Sequence, residues 1–187
     1  WEESHPTEFG WSHAVARLLI DGRSLCTAWR VGPENHLMTN NHCVSTSGKL
    51  RNTEVWFNYQ RMTCNGNLDD VVKVMGNELI KTDYTLDYSL FNVTNFDTIA
   101  QFGYLGLTDT PPVYGSGIYI PQHGAGNPKE IAIESDKNGS GLCQIDVASA
   151  NGRGTGTDTG YFCDTIGGSS GSPVLLSDSH QVVALHH

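Results

Sequence analysis

Gly167-Gly168-Ser169-Ser170-Gly171-Ser172-Pro173 is the stretch of this chain best suited to chemistry. It is clamped between apolar segments, Tyr161-Phe162-Cys163 before it and Val174-Leu175-Leu176 after it, whereas a flexible linker continues polar on both sides. Glycines in a tight turn let backbone N–H groups converge on one point. A serine hydroxyl beside such donors meets two needs of acyl transfer, a nucleophile and an oxyanion site. Serine also needs a base, and histidine is the natural one near neutral pH. Of the eight histidines, His42 stands out: it follows the strand-like Leu37-Met38-Thr39 and precedes Cys43, which can tether it. A third group must hold the imidazole tautomer. Asp87 precedes the apolar Tyr88-Ser89-Leu90-Phe91, which would bury its carboxylate where it needs donors. Asp83, four residues earlier, is its rival, while Asp69 and Asp70 read as solvated loop residues.

Short apolar runs separated by turn residues must position these groups. Ala14 to Ile20, Leu25 to Val31, His36 to Thr39, Glu54 to Tyr59, Val71 to Val74 and Tyr88 to Val93 read as strands of a first half. Gly115 to Pro121, Glu130 to Glu134, Gln144 to Ala148, Pro173 to Leu176 and Gln181 to Leu185 continue the pattern. Such evenly spaced strands, with 21 glycines in 187 residues, predict an all-β barrel or sandwich. Thr98 to Gly115 is the best candidate for the crossing between halves. Gly139 to Cys163 reads as a hairpin with Asn151 to Gly156 as its loop. A centre at Arg153 sets Cys143 opposite Cys163, close enough to bond. A hairpin of the second and third strands likewise brings Cys26 near Cys43.

The formal net charge of -9 argues against a nucleic-acid partner and gives no reason to expect anionic lipid. No apolar run reaches the ~20 residues of a membrane-spanning helix. The five dispersed cysteines lack CxxC spacing and read as disulfides of an oxidising compartment, hence a secreted protein. Cys64 is left over. Asn92-Val93-Thr94 and Asn138-Gly139-Ser140 have the form of glycosylation sites. A metal site built from His123, His180, His186 and His187 lacks the helical spacing with an acid that zinc enzymes use. No metal and no cofactor are expected.

Taken together, "MTNNHC", "DYSL" and "GGSSGSP", in the order His, Asp, Ser, resemble the chymotrypsin-fold serine peptidases over the chain from about Ala14 to its end. "GSSGSP" is similar to the bacterial-type glutamyl and lysyl endopeptidases, and "VWFNYQRMTC" resembles the lysyl group. The resemblance implies two six-stranded antiparallel Greek-key barrels, residues 1–105 carrying His and Asp and residues 106–187 carrying Ser. It implies His42 as general base, Asp87 as its orienting acid, Ser170 as nucleophile and the N–H groups of Gly168 and Ser170 as oxyanion hole. It also supports a Cys26–Cys43 disulfide. The position before the nucleophile, acidic in trypsin-type zymogens, is Ser169 here, so the trypsin switch cannot operate in that form and Trp1 should not insert, although a pro-segment can still be removed.

The family's second barrel continues past the point matching His187, so this barrel is expected to be incomplete. A C-terminal fragment or partner chain, linked through Cys64, would complete it. Asp164, six residues before Ser170, occupies the position where an acid gives trypsin its taste for Lys or Arg. Thr165 and His186 resemble the pair that binds an acidic side chain in glutamyl endopeptidases. The expected activity is therefore secreted endopeptidase cleavage of polypeptides after a charged residue, Lys or Arg ahead of Glu. The alternative is a catalytically inactive relative serving as a binding or adaptor module.

Overall fold

A computed structural model describes all of residues 1–187. The first strands follow directly from alternation. In β1 (Val15–Ile20), Ala16, Leu18 and Ile20 point to one interior, and β2 (Ser24–Arg30) adds Cys26 and Ala28 to it. Then come β3 (Leu37–Thr39), β4 (Thr53–Phe57), β5 (Val72–Asp83) and β6 (Tyr88–Val93), closing a barrel in the order β1-β2-β3-β6-β5-β4. Its antiparallel ladders surround Leu18, Leu37, Val55, Phe57, Phe91 and Val93, all buried.

Two short helices were not legible as such. α1 (Pro6–Ser12) begins with a proline where a missing N–H costs nothing. α2 (Ser47–Arg51) is capped by Thr46, whose Oγ1 accepts from the Lys49 N–H at 3.2 Å. β5 is far longer than the Val71–Val74 run. Register breaks on either side of Leu79 destroy its alternation, so the sequence pattern ends where the strand does not.

The crossing is made at residues 105–108. Leu105 exchanges backbone bonds with the end of β2, through Arg30 O and Gly32 N. One residue on, Gly106 O and Thr108 N bond Val182. The second half comprises β7 (Ile118–Gln122), β8 (Glu130–Ala132), β9 (Val147–Ala150), β10 (Asp158–Gly160), β11 (Pro173–Leu176) and β12 (Val182–Leu185). They form an open sheet β12-β11-β7-β8 and a separate β9/β10 pair, an incomplete second barrel in an otherwise all-β chain. Between the halves lies a shared core in which Trp29 and Val15 pack with Tyr119, Leu105, Leu175 and Val182. No helix is long and apolar enough to cross a membrane.

Two disulfides form, Cys26–Cys43 and Cys143–Cys163, and Cys64 is free and exposed. The second does not join a facing pair of a hairpin centred on Arg153. The observed ladder sets Asp158 against Ala150 and Gly160 against Val147, which moves the centre towards Gly154 and carries an irregularity between its two pairs. Cys143 instead makes backbone bonds to Ile118 and Ile133, so its segment bridges to residues at the start of β7 and just after β8 rather than facing Cys163 across the β9/β10 pair. Asn138 turns its amide inward to Asp146 Oδ1, whereas Asn92 bonds Glu78 on the flank of the β5/β6 hairpin.

At the junction of the halves, His123 is fully buried and its Nδ1 donates to the Asn127 carbonyl at 2.9 Å. Burial, reinforced by the nearby charge of Lys129, pulls its pKa from 6.5 down to about 3. The unfolded chain takes up this proton below about pH 6.5 and the folded chain does not. The contribution is therefore intact above that pH and is lost as pH falls towards 3, at up to about 1.4 kcal/mol per pH unit. Urea unfolding of the wild type and of His123→Phe at pH 7, 6 and 5 should show a smaller loss in the variant. Cys26→Ser with Cys43→Ser, which opens a 17-residue separation, should lower stability by about 3 kcal/mol, read from the same unfolding curves.

Candidate active site

The end of β3 delivers His42. Thr39 and Asn40 are buried, and the chain then turns at Asn40, whose carbonyl accepts the N–H groups of Cys43 and Val44. His42 itself remains partly exposed at the mouth of the turn. Opposite it, residues 84–87 form a tight turn between β5 and β6, closed by the Asp87 N–H on the Tyr84 carbonyl. Asp87 takes a left-handed backbone, φ 52°, a conformation that Asp tolerates better than most residues. That geometry turns its buried carboxylate onto His42. Oδ2 accepts from the His42 Nδ1 at 2.8 Å, and Oδ1 accepts from the His42 backbone N–H at 2.9 Å. With Nδ1 donating, Nε2 is left to act as the proton acceptor. Asn40 Nδ2 donates to the Asp87 carbonyl at 3.0 Å, which locks the two turns together. Asp83 caps its own turn, accepting from the Leu86 N–H, and takes no part.

The Ser170 loop docks on β2. The Thr27 N–H donates to the Ser170 carbonyl at 2.8 Å, and Thr27 Oγ1 donates to the Gly168 carbonyl at 2.9 Å. Both contacts demand close backbone approach. A Cβ at Gly171, where φ is +92°, would lie 2.1 Å from the Thr27 carbonyl oxygen. A Cβ at Gly168, φ +100°, would lie 2.8 Å from the Ala125 nitrogen. Ser169 is buried and its Oγ donates to Gln122 Oε1, so a neutral hydrogen bond fills the position that is acidic in trypsin-type enzymes. Ser172 Oγ closes the turn on the Ser169 carbonyl at 2.6 Å.

These bonds leave the N–H groups of Gly168 and Ser170 without an acceptor in the protein. The Cys26–Cys43 disulfide lies between the loop and the histidine. Cys43 Sγ is 3.9 Å from the Ser170 carbonyl oxygen, and a His42 ring nitrogen is within 4.8 Å of both sulfurs. Because those sulfurs are bonded to each other, the cluster offers no thiolate to a metal.

A cleft of about 720 Å³ opens beside Asp87 and is lined by Arg153, Asp158, Tyr161, His186 and His187. His186 Nδ1 meets the Tyr161 hydroxyl at 2.5 Å, and burial, with the charges of His187 and His42, lowers its pKa to about 4. The imidazole is therefore neutral over the physiological range. Asp158 pairs with His187 Nε2 at 2.7 Å. Burial works against its charge, but the bonds from Thr157 and His187 prevail and hold its carboxyl below the usual range.

Asp164 is not brought to this cleft. Its carbonyl is bonded by Gln122 Nε2, and it borders a separate hollow with Trp1 and Glu134 on the far side of β7. Asp164 is exposed in the irregular segment between β10 and the nucleophile loop, so its position relative to Ser170 alone does not place it in this cleft. Thr165 is half-buried and does not line the cleft either. His123, His180, His186 and His187 bond four separate partners, Asn127, Tyr119, Tyr161 and Asp158.

Two residues that position the site carry no obvious sequence signal. Thr27 looks like an ordinary β former inside a strand, and only a hydroxyl on an otherwise buried strand hinted at a bond. Arg153 looks like the tip of a glycine-rich loop.

Comparison with known proteins bears on this arrangement. Residues 26–185 match the model of the trypsin-like peptidase domain. "Secreted RxLR effector protein 73" of Plasmopara viticola is 42% identical over 185 residues, covering 94% of this chain. The match spans 45% of that relative's length, so the chain corresponds to about half of it. Among solved structures, the inactive form of the Rv3671c protease superposes with a TM-score of 0.66 at 16% identity, covering 97% of this chain and 80% of that one. Deg5 gives 0.64 at 14%, covering 97% and 84%. The HtrA-type protease AlgW with tripeptide gives 0.61 at 16%, covering 91% and 49%. These likenesses establish the chymotrypsin-type fold, and the family match, covering most of the chain, goes further: this chain belongs to the trypsin-like peptidase domain family.

Proposed function

We propose that this chain is the catalytic domain of a secreted serine endopeptidase, with Ser170 as nucleophile, His42 as general base and Asp87 as the acid that orients it. The observation that carries the reading is the pair of hydrogen bonds that His42 donates to the Asp87 carboxylate, from Nδ1 and from the backbone N–H, beside a disulfide against which the Ser170 backbone packs. In this reading His42 Nε2 takes the Ser170 Oγ proton as oxygen attacks the scissile carbonyl. The unpaired N–H groups of Gly168 and Ser170 receive the developing oxyanion. The amine leaves with the proton that His42 returns, and water then hydrolyses the acyl-enzyme by the same route.

Secretion is supported by the two disulfides and by a 42%-identical relative named as a secreted effector. For specificity, a charged side chain before the scissile bond remains the proposal. With Asp164 bordering a different hollow, the case for Lys or Arg ahead of Glu rests on the acidic net charge of -9. A second reading, a binding module without turnover, is favoured by one fact: that relative is named for an effector role, not for proteolysis.

A fluorophosphonate probe separates the two. The native protein should be labelled at Ser170, as mapped by peptide mass spectrometry. Ser170→Ala should abolish labelling, and His42→Ala should slow it by about 10⁴-fold or more. An unlabelled but folded wild type would favour the binding module. Cleavage of a peptide library should fall mainly after Lys or Arg, and cleavage mainly after Glu would overturn that preference.

A further inference from the structure

The loop joining β9 to β10 leaves its own half of the molecule. Its glycines carry the backbone across to the turn at residues 84–87: a Cβ at Gly154 would lie 3.0 Å from Thr85 Cγ2. Arg153, next to Gly154, completes the contact. Its Nη1 donates to the Tyr84 carbonyl at 2.7 Å, and its guanidinium lies 4.0 Å from the centre of the Tyr84 ring. The same Nη1 is 3.5 Å from Asp87 Oδ1. The Tyr84 carbonyl already holds the Asp87 N–H, and Asp87 Oδ1 already holds the His42 N–H. One guanidinium therefore touches both the bond that closes the turn and the carboxylate that the turn presents.

Asp87 needs such help. Its carboxylate is buried, its backbone is left-handed, and the turn that bears it ends a hairpin whose β5 arm, residues 77–83, is exposed or half-buried. Rotation of the carboxylate by one rotamer would break both bonds to His42. A planar cation anchored by stacking and by a carbonyl resists that rotation at small entropic cost, because the guanidinium is pre-organised. From this geometry we infer that Arg153 is a positioning residue for the His42–Asp87 pair, supplied by the second half of the molecule to the first. The inference rests on the peptidase reading for its catalytic meaning, but the structural coupling stands without it. The other charged groups of the cleft, Asp158 and His187, are occupied with one another and leave Arg153 as the cation that faces Asp87 from the second half.

The test compares the native chain with Arg153→Met, which keeps the length of the side chain and removes its charge and donors, and Arg153→Lys, which keeps the charge and loses the fork. Two readouts are taken: the rate of Ser170 labelling by a fluorophosphonate, and the downfield proton NMR signal of the His42 Nδ1–H held by Asp87. Arg153→Met should label about tenfold to a hundredfold more slowly. Its downfield signal should broaden or vanish at a temperature where the native signal is sharp, with the thermal midpoint nearly unchanged because the side chain is partly exposed. Arg153→Lys should recover part of both. Native labelling rate and an unaltered signal in Arg153→Met would overturn the inference. So would equal loss in the Met and Lys variants accompanied by a large fall in thermal midpoint, which would mark a purely structural role. A native chain that never labels but shows the downfield signal, lost on Arg153→Met, would sink the peptidase reading and leave the positioning role standing.

Discussion

The site depends on the docking of one loop against one strand. Thr27 spends its backbone N–H on Ser170 and its hydroxyl on Gly168, and its hydroxyl in turn accepts the His123 N–H at 3.1 Å. Its carbonyl accepts from Thr39 Oγ1 at 2.8 Å, at the end of β3 and just before the turn that bears His42. A single residue of the first half thus reaches the Ser170 loop, the end of β7 and the strand that leads to the histidine. Ladder bonds between halves are few, so this network fixes the distance across the cleft. Its members are buried, and a buried polar group left unpaired costs about 1–3 kcal/mol, which makes partial undocking unfavourable.

The same logic explains the disulfide next to it. Cys26 adjoins Thr27, and Cys43 adjoins His42. The covalent link ties β2 to the turn that bears His42, with Cys43 Sγ 3.9 Å from the Ser170 carbonyl oxygen. Asn40 and Asp87 complete the enclosure from the other side. The imidazole keeps an open edge towards solvent, while its Nδ1 edge is held by Asp87 Oδ2 and the His42 backbone N–H by Asp87 Oδ1.

Much of the first barrel was legible because its strands are short and alternate: Val15–Ile20, Ser24–Arg30 and Tyr88–Val93 fall almost where the apolar runs do. His42 and Asp87 were legible by context, one at a strand tip beside a cysteine, the other before an apolar strand. What failed had physical causes. β5 hid behind its bulges. The hairpin centre slipped because glycines at 152, 154 and 156 let the loop turn at more than one point, and only pairing with the rest of the sheet sets register. Asp164 was placed by its distance from Ser170, but which way a side chain points in an irregular segment depends on tertiary bonds, here the one from Gln122 to its carbonyl. Thr27 and Arg153 act through contacts 141 and 69 residues away in the chain, beyond the reach of any local pattern.

Ser169 shows how the loop is kept ordered without a buried charge. An acid at this position would need a cation beside it, since an unpaired buried carboxylate is strongly disfavoured. Ser169 needs only an acceptor, and Gln122 at the end of β7 provides it. The remaining ties, Thr27 to Gly168 and Ser170, Ser172 to Ser169, and the Gly171 N–H to the His186 carbonyl at 2.8 Å, are also neutral. None of these bonds uses a titrating side chain or a free chain terminus. The electrostatics of the site are concentrated instead on one buried carboxylate, Asp87, which meets His42 from its own barrel and Arg153 from the other.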